Sequence, residues 1–198
     1  MLAELLASPG VREESVLRSR FGFMAFHGGS LEEMTDVIAA AAAERAGASY
    51  YAVLQPEDLQ WHIPSHKLSP ADSPVMQAFI DHVDVVITVH GFGRQQLFTS
   101  LLLGGRNRAL AAHVAPYLRE RLPAYDIRIE LDAIPADLRG QHPANPVNLP
   151  RGQGVQIELP PRVRGSSPLW WDWEGPGHTP HTEALIDGLA AAALEWPL

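Results

Sequence analysis

The sequence contains no cysteine. This excludes a disulfide scaffold, thiol catalysis and any thiolate-bound metal. Lysine is nearly absent as well: Lys67 is the only one, and the other fourteen basic residues are arginines. Fifteen basic residues against 23 acidic ones leave a net charge of −8. That balance argues against partners held by bulk positive charge, so neither nucleic acid nor an anionic membrane is expected as a partner. Long apolar runs are missing too. Val83 to Val89 and the alanines around Ala39 to Ala43 fall far short of the roughly 18 residues a membrane helix needs. The first twenty residues mix Glu4, Glu13 and Glu14 with arginines and do not form a signal peptide. The chain as encoded is therefore expected in the cytoplasm, with phage lysis or non-classical export as routes out.

What is present is an ordinary globular composition, 198 residues and 46% apolar. One domain over residues 1–198 is expected, with no repeat and no linker to divide it. Elements alternate along it. Strands are expected at Phe21 to Phe26, Ser49 to Leu54, Asp84 to Val89, Leu97 to Leu103, Arg128 to Leu131 and Val155 to Leu159. Helices are expected at Ser30 to Arg45, Ser73 to His82, Asn107 to Leu122 and His181 to Glu195. The stretches Gln55 to Pro74, Asp132 to Gly152 and Ser166 to Pro180 read as loops. This alternation indicates an α/β domain with a mixed, mostly parallel sheet flanked by helices.

Three polar residues stand at strand ends, where ligands bind in open α/β sheets. His27 follows Gly22-Phe23-Met24-Ala25-Phe26, His90 follows Val85-Val86-Ile87-Thr88-Val89, and Glu158 closes Val155-Gln156-Ile157-Glu158-Leu159. After His27, Gly28-Gly29 permits a tight reversal. Ser30 and Glu33 have capping-box spacing, which leaves Glu32 free to turn back toward His27. His27, Glu32 and His90 are together a His2Glu set of the kind that holds zinc with one position open for water. Glu158 is then the candidate general base. Each residue also has a plainer reading. The glycines serve a turn, Glu32 favours the helix dipole, and Glu158 is a sheet-edge residue paired to Arg162 or Arg164.

Ala25-Phe26-His27-Gly28-Gly29-Ser30-Leu31-Glu32 resembles the "HGGxIE" opening of the poly-γ-glutamate hydrolase family. Trp61-His62-Ile63-Pro64-Ser65 is similar to its "LHITS", Thr88-Val89-His90-Gly91 to "VxIHG", and Leu103-Gly104-Gly105-Arg106-Asn107 to "VGGxN". Asn145 to Gly152 resembles "PxNIxNR", and Gly154 to Pro160 resembles "GVQLEL". The six segments run in order through about residues 21–165. The resemblance implies a compact relative of the carboxypeptidase-type zinc peptidases. It implies Zn²⁺ on His27, Glu32 and His90, with Glu158 as proton shuttle. The sequence departs from the pattern at Leu149-Pro150-Arg151, and Leu169-Trp170-Trp171-Asp172-Trp173 has no counterpart in it.

Arg151, Arg162 and Arg164 could clamp a substrate carboxylate through bidentate bonds or pair at the surface. Asn148 could orient the scissile carbonyl or cap a turn. His62 and His66 read equally as contacts behind the metal or as exposed loop residues; His82, His113 and His142 read as surface histidines. Trp170, Trp171 and Trp173 read as a packed lid. The leading reading is a zinc-dependent hydrolase of glutamyl-type amide bonds, including γ-linked polyglutamate. The competing reading is a non-catalytic, phage-associated or accessory binding protein that keeps the fold. A metal-assisted esterase or deacetylase would use the same centre. Oligomeric state is not written in the sequence.

Overall fold

The computed structural model describes residues 1–170 and 173–197; Trp171 of the expected lid lies outside them. In chain order the elements are α1 (Leu2–Leu6), β1 (Arg12–Val16), β2 (Phe21–Gly29), α2 (Thr35–Ala46), β3 (Ser49–Gln55), α3 (Pro74–His82) and β4 (Val85–Gly91). There follow β5 (Ser100–Leu103), α4 (Arg108–Arg121), β6 (Asp126–Arg128), β7 (Gly154–Leu159), α5 (Pro161–Arg164) and α6 (Pro180–Leu194). The strands form one sheet in the order β1-β3-β2-β4-β7-β5-β6. The pairs β2/β3, β2/β4, β4/β7 and β5/β6 are parallel, whereas β1/β3 and β5/β7 are antiparallel. The expected mixed, mostly parallel α/β sheet is present.

The interior strands are apolar on both faces, as strands covered on both sides must be. On one face Phe23, Ile87, Val89, Val155 and Ile157 pack with residues of α2, α4 and α6. On the other, Met24, Phe26 and Val86 pack with α1, α3 and Ile63 and Leu68 of the long loop after β3. The chain leaves β2 toward β3 on one side, and β4 lies on the other. The crevice between the carboxyl ends of β2 and β4 is therefore the point where strand order reverses, the usual place for a ligand site in open α/β sheets.

Several expected boundaries differ. The second helix begins at Thr35, not Ser30, because Met34 takes a left-handed φ of 71° that no helix can run through. The Ser30–Glu33 capping box does not form: the Ser30 hydroxyl is committed to the carbonyls of Gln55 (3.2 Å) and Pro56 (2.6 Å). The expected strand Leu97 to Leu103 shortens to Ser100–Leu103, since Gln95–Leu97 makes a 3₁₀ turn. The strand expected at Arg128 to Leu131 lies earlier, at Asp126–Arg128, with Leu131–Ala133 another 3₁₀ turn. Strand β7 is interior, so Glu158 is not an edge residue, and its side chain bonds to Gln156 rather than to Arg162 or Arg164. Helix α1 and edge strand β1 carry no pattern that announces them. Strand β1 alternates exposed and half-buried residues and is held by antiparallel pairing to β3.

Candidate metal centre and cleft

Strand β2 delivers His27 through an irregularity. Its register against β3 shifts between Ala25 and Gly28, so one extra residue is accommodated beside His27. A bulge of this kind re-aims a side chain at a strand end. Gly29, at φ 72°, then reverses the chain; a Cβ there would collide with the Gln55 carbonyl oxygen. The turn closes with the Glu32 amide donating to the His27 carbonyl at 2.9 Å. Arg164 holds the turn from behind. Its guanidinium donates to the carbonyl oxygens of Glu33 and Leu159 and packs against Gly91.

Glu32 reaches both histidines. Its Oε1 lies 2.8 Å from His27 Nδ1, and its Oε2 lies 3.2 Å from His90 Nδ1 and accepts from the Gly91 amide at 2.9 Å. All three side chains are largely withdrawn from water. The His27 Nε2 is 2.9 Å from the Ile63 carbonyl oxygen, which can only accept. Nε2 therefore carries a proton. In neutral imidazole Nδ1 is then a bare lone pair, facing a carboxylate oxygen at hydrogen-bond distance. Two acceptors so placed need a cation between them, either a second proton or a metal ion. The donor set of two imidazole Nδ1 atoms and one carboxylate fits zinc.

Charge follows the same geometry. Burial works against protonation of His27, but the Glu32 carboxylate and the Ile63 carbonyl outweigh it and the pKa is raised. Burial would raise Glu32, yet His90 and His27 hold it well below the usual carboxylate range. Glu158 goes the other way: burial, reinforced by the negative charge of Glu32, pushes it well up.

The cleft over this centre has a volume of about 740 Å³. His27, Glu32, His90 and Glu158 all line it, so the structure brings together the three strand-end residues and the Glu32 of the turn after His27. His90 and Glu158 stand opposite in register on β4 and β7. Three further histidines reach the cleft: His62, His66 and His142, with the rings of His66 and His142 4.7 Å apart. His142 is thus a cleft residue rather than a plain surface histidine. His27, Glu32 and His62 each place a ligand atom within 4.8 Å of the others, so His62 is a third imidazole beside the buried His27 and His90. Burial and the neighbouring His27 lower its pKa.

The residues expected to bind substrate lie elsewhere. Arg151 is 86% exposed and pairs with Asp84 at 3.3 Å, just before β4 and so at the opposite end of the sheet from His90. Asn148 is buried in the loop: its Oδ1 accepts from the Arg106 amide, and its Nδ2 donates to the carbonyls of Gly140 and His142. Arg162 sits over the Tyr125 ring, 5.4 Å from its centroid, while its carbonyl accepts from the Trp170 indole. Trp170 and Trp173 meet edge-to-face. Among the described residues lining the cleft there is no arginine and no lysine. Gln156 is a lining residue that strand-end reasoning passed over. The period-two repeat that puts Gln156 and Glu158 on one face of β7 was the signal that could have found it.

The mixed seven-stranded sheet, with its crevice at the reversal point, is a carboxypeptidase-like α/β fold. The chain belongs to the poly-gamma-glutamate hydrolase family, whose family model matches residues 3–167. Among solved structures it is similar to a bacteriophage poly-gamma-glutamate hydrolase, at a TM-score of 0.77 and 18% identity over 96% of this chain and 91% of that one. It is also similar to a structure described as zinc-free apo YNDL, at a TM-score of 0.73 and 19% identity over 92% of this chain and 88% of that one. A metallo-carboxypeptidase from Burkholderia cenocepacia matches at a TM-score of 0.55 and 11% identity, over 98% of this chain and 66% of that larger one. Among curated proteins no sequence match is found. Among the described residues, no helix is long and apolar enough to cross a membrane.

Proposed function

We propose that this protein is a zinc-dependent amide hydrolase acting on glutamyl-type peptides, including γ-linked polyglutamate. The observation that carries the reading is the convergence of His27 Nδ1 and His90 Nδ1 on the Glu32 carboxylate, with His27 Nε2 already committed to Ile63. His27, Glu32 and His90 would hold the ion. When bound, zinc polarises a carbonyl and lowers the pKa of water. The buried His90 is preferred to the exposed His62 as third ligand, because it sits on a central strand and its Nδ1 already faces Glu32.

The protein's own groups supply the rest. Glu158 takes a proton from the attacking water as the water oxygen bonds to the amide carbon. It returns that proton to the leaving nitrogen as the C–N bond breaks. Burial and the nearby Glu32 charge raise its pKa, the direction in which catalytic carboxyl groups are tuned for proton transfer. The cleft mouth offers the imidazoles of His62, His66 and His142, rather than guanidinium groups, to the acidic side chains of a glutamyl substrate.

The test is a panel of α- and γ-linked glutamyl peptides assayed with wild-type protein and Glu158→Gln. Cleavage by the wild type that is lost in the variant, with metal retained, supports the reading. No cleavage of any peptide by zinc-loaded wild type would favour a binding protein instead.

A further inference from the structure

Glu158 does not stand alone in the cleft. Its Oε1 accepts from Gln156 Nε2 at 2.7 Å, and Gln156 Oε1 accepts from Asn145 Nδ2 at 2.8 Å. Asn145 Oδ1 in turn accepts from the Val147 backbone amide at 3.3 Å. Asn145, Gln156 and Glu158 are all buried. An amide side chain can bond either way round, but here the direction is fixed from the backbone outward. The Val147 N–H can only donate, so it fixes Asn145 Oδ1 as its acceptor. Asn145 Nδ2 must then face an acceptor, which is Gln156 Oε1. Gln156 Nε2 is left pointing at two acceptors, the Leu138 carbonyl (3.5 Å) and Glu158 Oε1. Gly140, at φ 61°, provides the space: a Cβ there would lie 2.6 Å from Gln156 Oε1.

We propose that Gln156 is a positioning residue for Glu158, and that Asn145 sets the orientation of the Gln156 amide so that it always donates to that carboxylate. The inference rests on the reading of Glu158 as general base. One carboxylate oxygen is pinned by Gln156, which leaves the other for the water proton. A free carboxylate would spend much of its time rotated away, and a Gln156 amide turned round would set its Oε1 against Glu158 Oε1. The loop of residues 138–148 is thereby coupled to Glu158 through Asn145 and Gln156.

The experiment measures kcat, KM and bound zinc on a γ-glutamyl peptide for Gln156→Met, Asn145→Ala, Asn145→Asp, the Gln156→Met/Asn145→Asp double variant and Glu158→Gln. A hydrogen bond to a charged group, when lost, translates into about a 10- to 100-fold fall in kcat for Gln156→Met, with KM and zinc content little changed. Asn145→Asp keeps the Val147 bond and the side-chain volume but offers only acceptors, so it turns the Gln156 amide round. It should lower kcat more than Asn145→Ala, which releases the amide without reversing it. A packing role predicts the opposite order, because alanine removes more volume. In the double variant the Asp substitution should cost nothing beyond Gln156→Met alone; a further loss would mean that the new charge acts directly and not through Gln156.

Near-wild-type turnover in Gln156→Met, with Glu158→Gln inactive, overturns this inference and leaves the base assignment standing. Should Gln156→Met not fold, the order of the two Asn145 variants still decides the matter. Turnover retained in Glu158→Gln overturns the base assignment and this inference with it.

Discussion

His90 and Glu158 stand directly opposite one another in the parallel pairing of β4 and β7. One is a proposed metal ligand and the other the proposed base, and both sit on interior strands rather than on loops. Their separation is therefore fixed by backbone hydrogen bonds, as a site needing sub-ångström placement requires. Glu158→Gln keeps size and one acceptor but cannot take a proton. It should leave zinc occupancy intact and lower kcat by about 10³-fold or more, since general acid–base catalysis contributes about 10²- to 10⁴-fold and this residue serves twice. Elemental analysis beside steady-state kinetics checks both halves; loss of the metal would make Glu158 a ligand instead.

Glu32 and its neighbour Glu33 separate cleanly. Glu32 bridges two imidazoles, whereas the exposed Glu33 is held through its backbone carbonyl by Arg164. Glu32→Gln should abolish tight zinc binding. Glu33→Gln should keep the metal and change stability by no more than about 0.5 kcal/mol, as for an ordinary surface substitution. Metal lost from the Glu33 variant and retained in the Glu32 variant would shift the ligand assignment by one residue.

The metal-free protein should have an unusual pH dependence. Glu32 has its pKa lowered, so its contribution to stability is present above its ordinary value of 4.5 and is lost as pH falls through the depressed folded value. His27 has its pKa raised, so its contribution is complete below the ordinary 6.5 and is lost as pH rises through the folded value. Glu158, also raised, adds to the loss as pH climbs above 4.5. The Tm of chelator-treated protein should therefore peak at mildly acidic pH and fall toward pH 8. Zinc, whose imidazole ligands must be deprotonated, should raise Tm more at pH 8 than at pH 6. Thermal scans across that range, with and without zinc, read this directly. A metal-free Tm that rises steadily from pH 6 to 8 would contradict it.

Asn148→Ala removes a buried amide that makes three hydrogen bonds and ties the loop of residues 140–148 to Arg106. Its effect should be on stability, about 2–3 kcal/mol lost in chemical denaturation. Arg151→Ala, at the far end of the sheet, should leave KM within about twofold, the scale of a surface change remote from the site. A KM raised tenfold by Arg151→Ala would bring that arginine back to the substrate.

The site was more legible in the sequence than its surroundings. Strand-end placement isolates His27, His90 and Glu158, because apolar runs closed by a polar residue report a crevice in any parallel sheet, and the Gly28-Gly29 turn adds Glu32. The capping box misled because Ser30 has partners in Gln55 and Pro56, remote in sequence, and no local pattern shows that. Arginines are the expected partners because a glutamyl substrate would be acidic. Arg151 instead takes Asp84, and Arg164 takes two backbone carbonyls. Gln156 is legible only through its period-two spacing from Glu158, and Asn145 only once its partner Gln156 is known.

The most direct test is zinc affinity, measured by chelator competition on wild-type protein, His90→Ala and His62→Ala. With His27, Glu32 and His90 as ligands, the wild type binds about one zinc per chain. His90→Ala should lose at least about 100-fold in affinity, and His62→Ala should stay within about tenfold of wild type. The reverse order, with His62→Ala losing zinc and His90→Ala keeping it, would move the centre to the exposed loop and contradict the account.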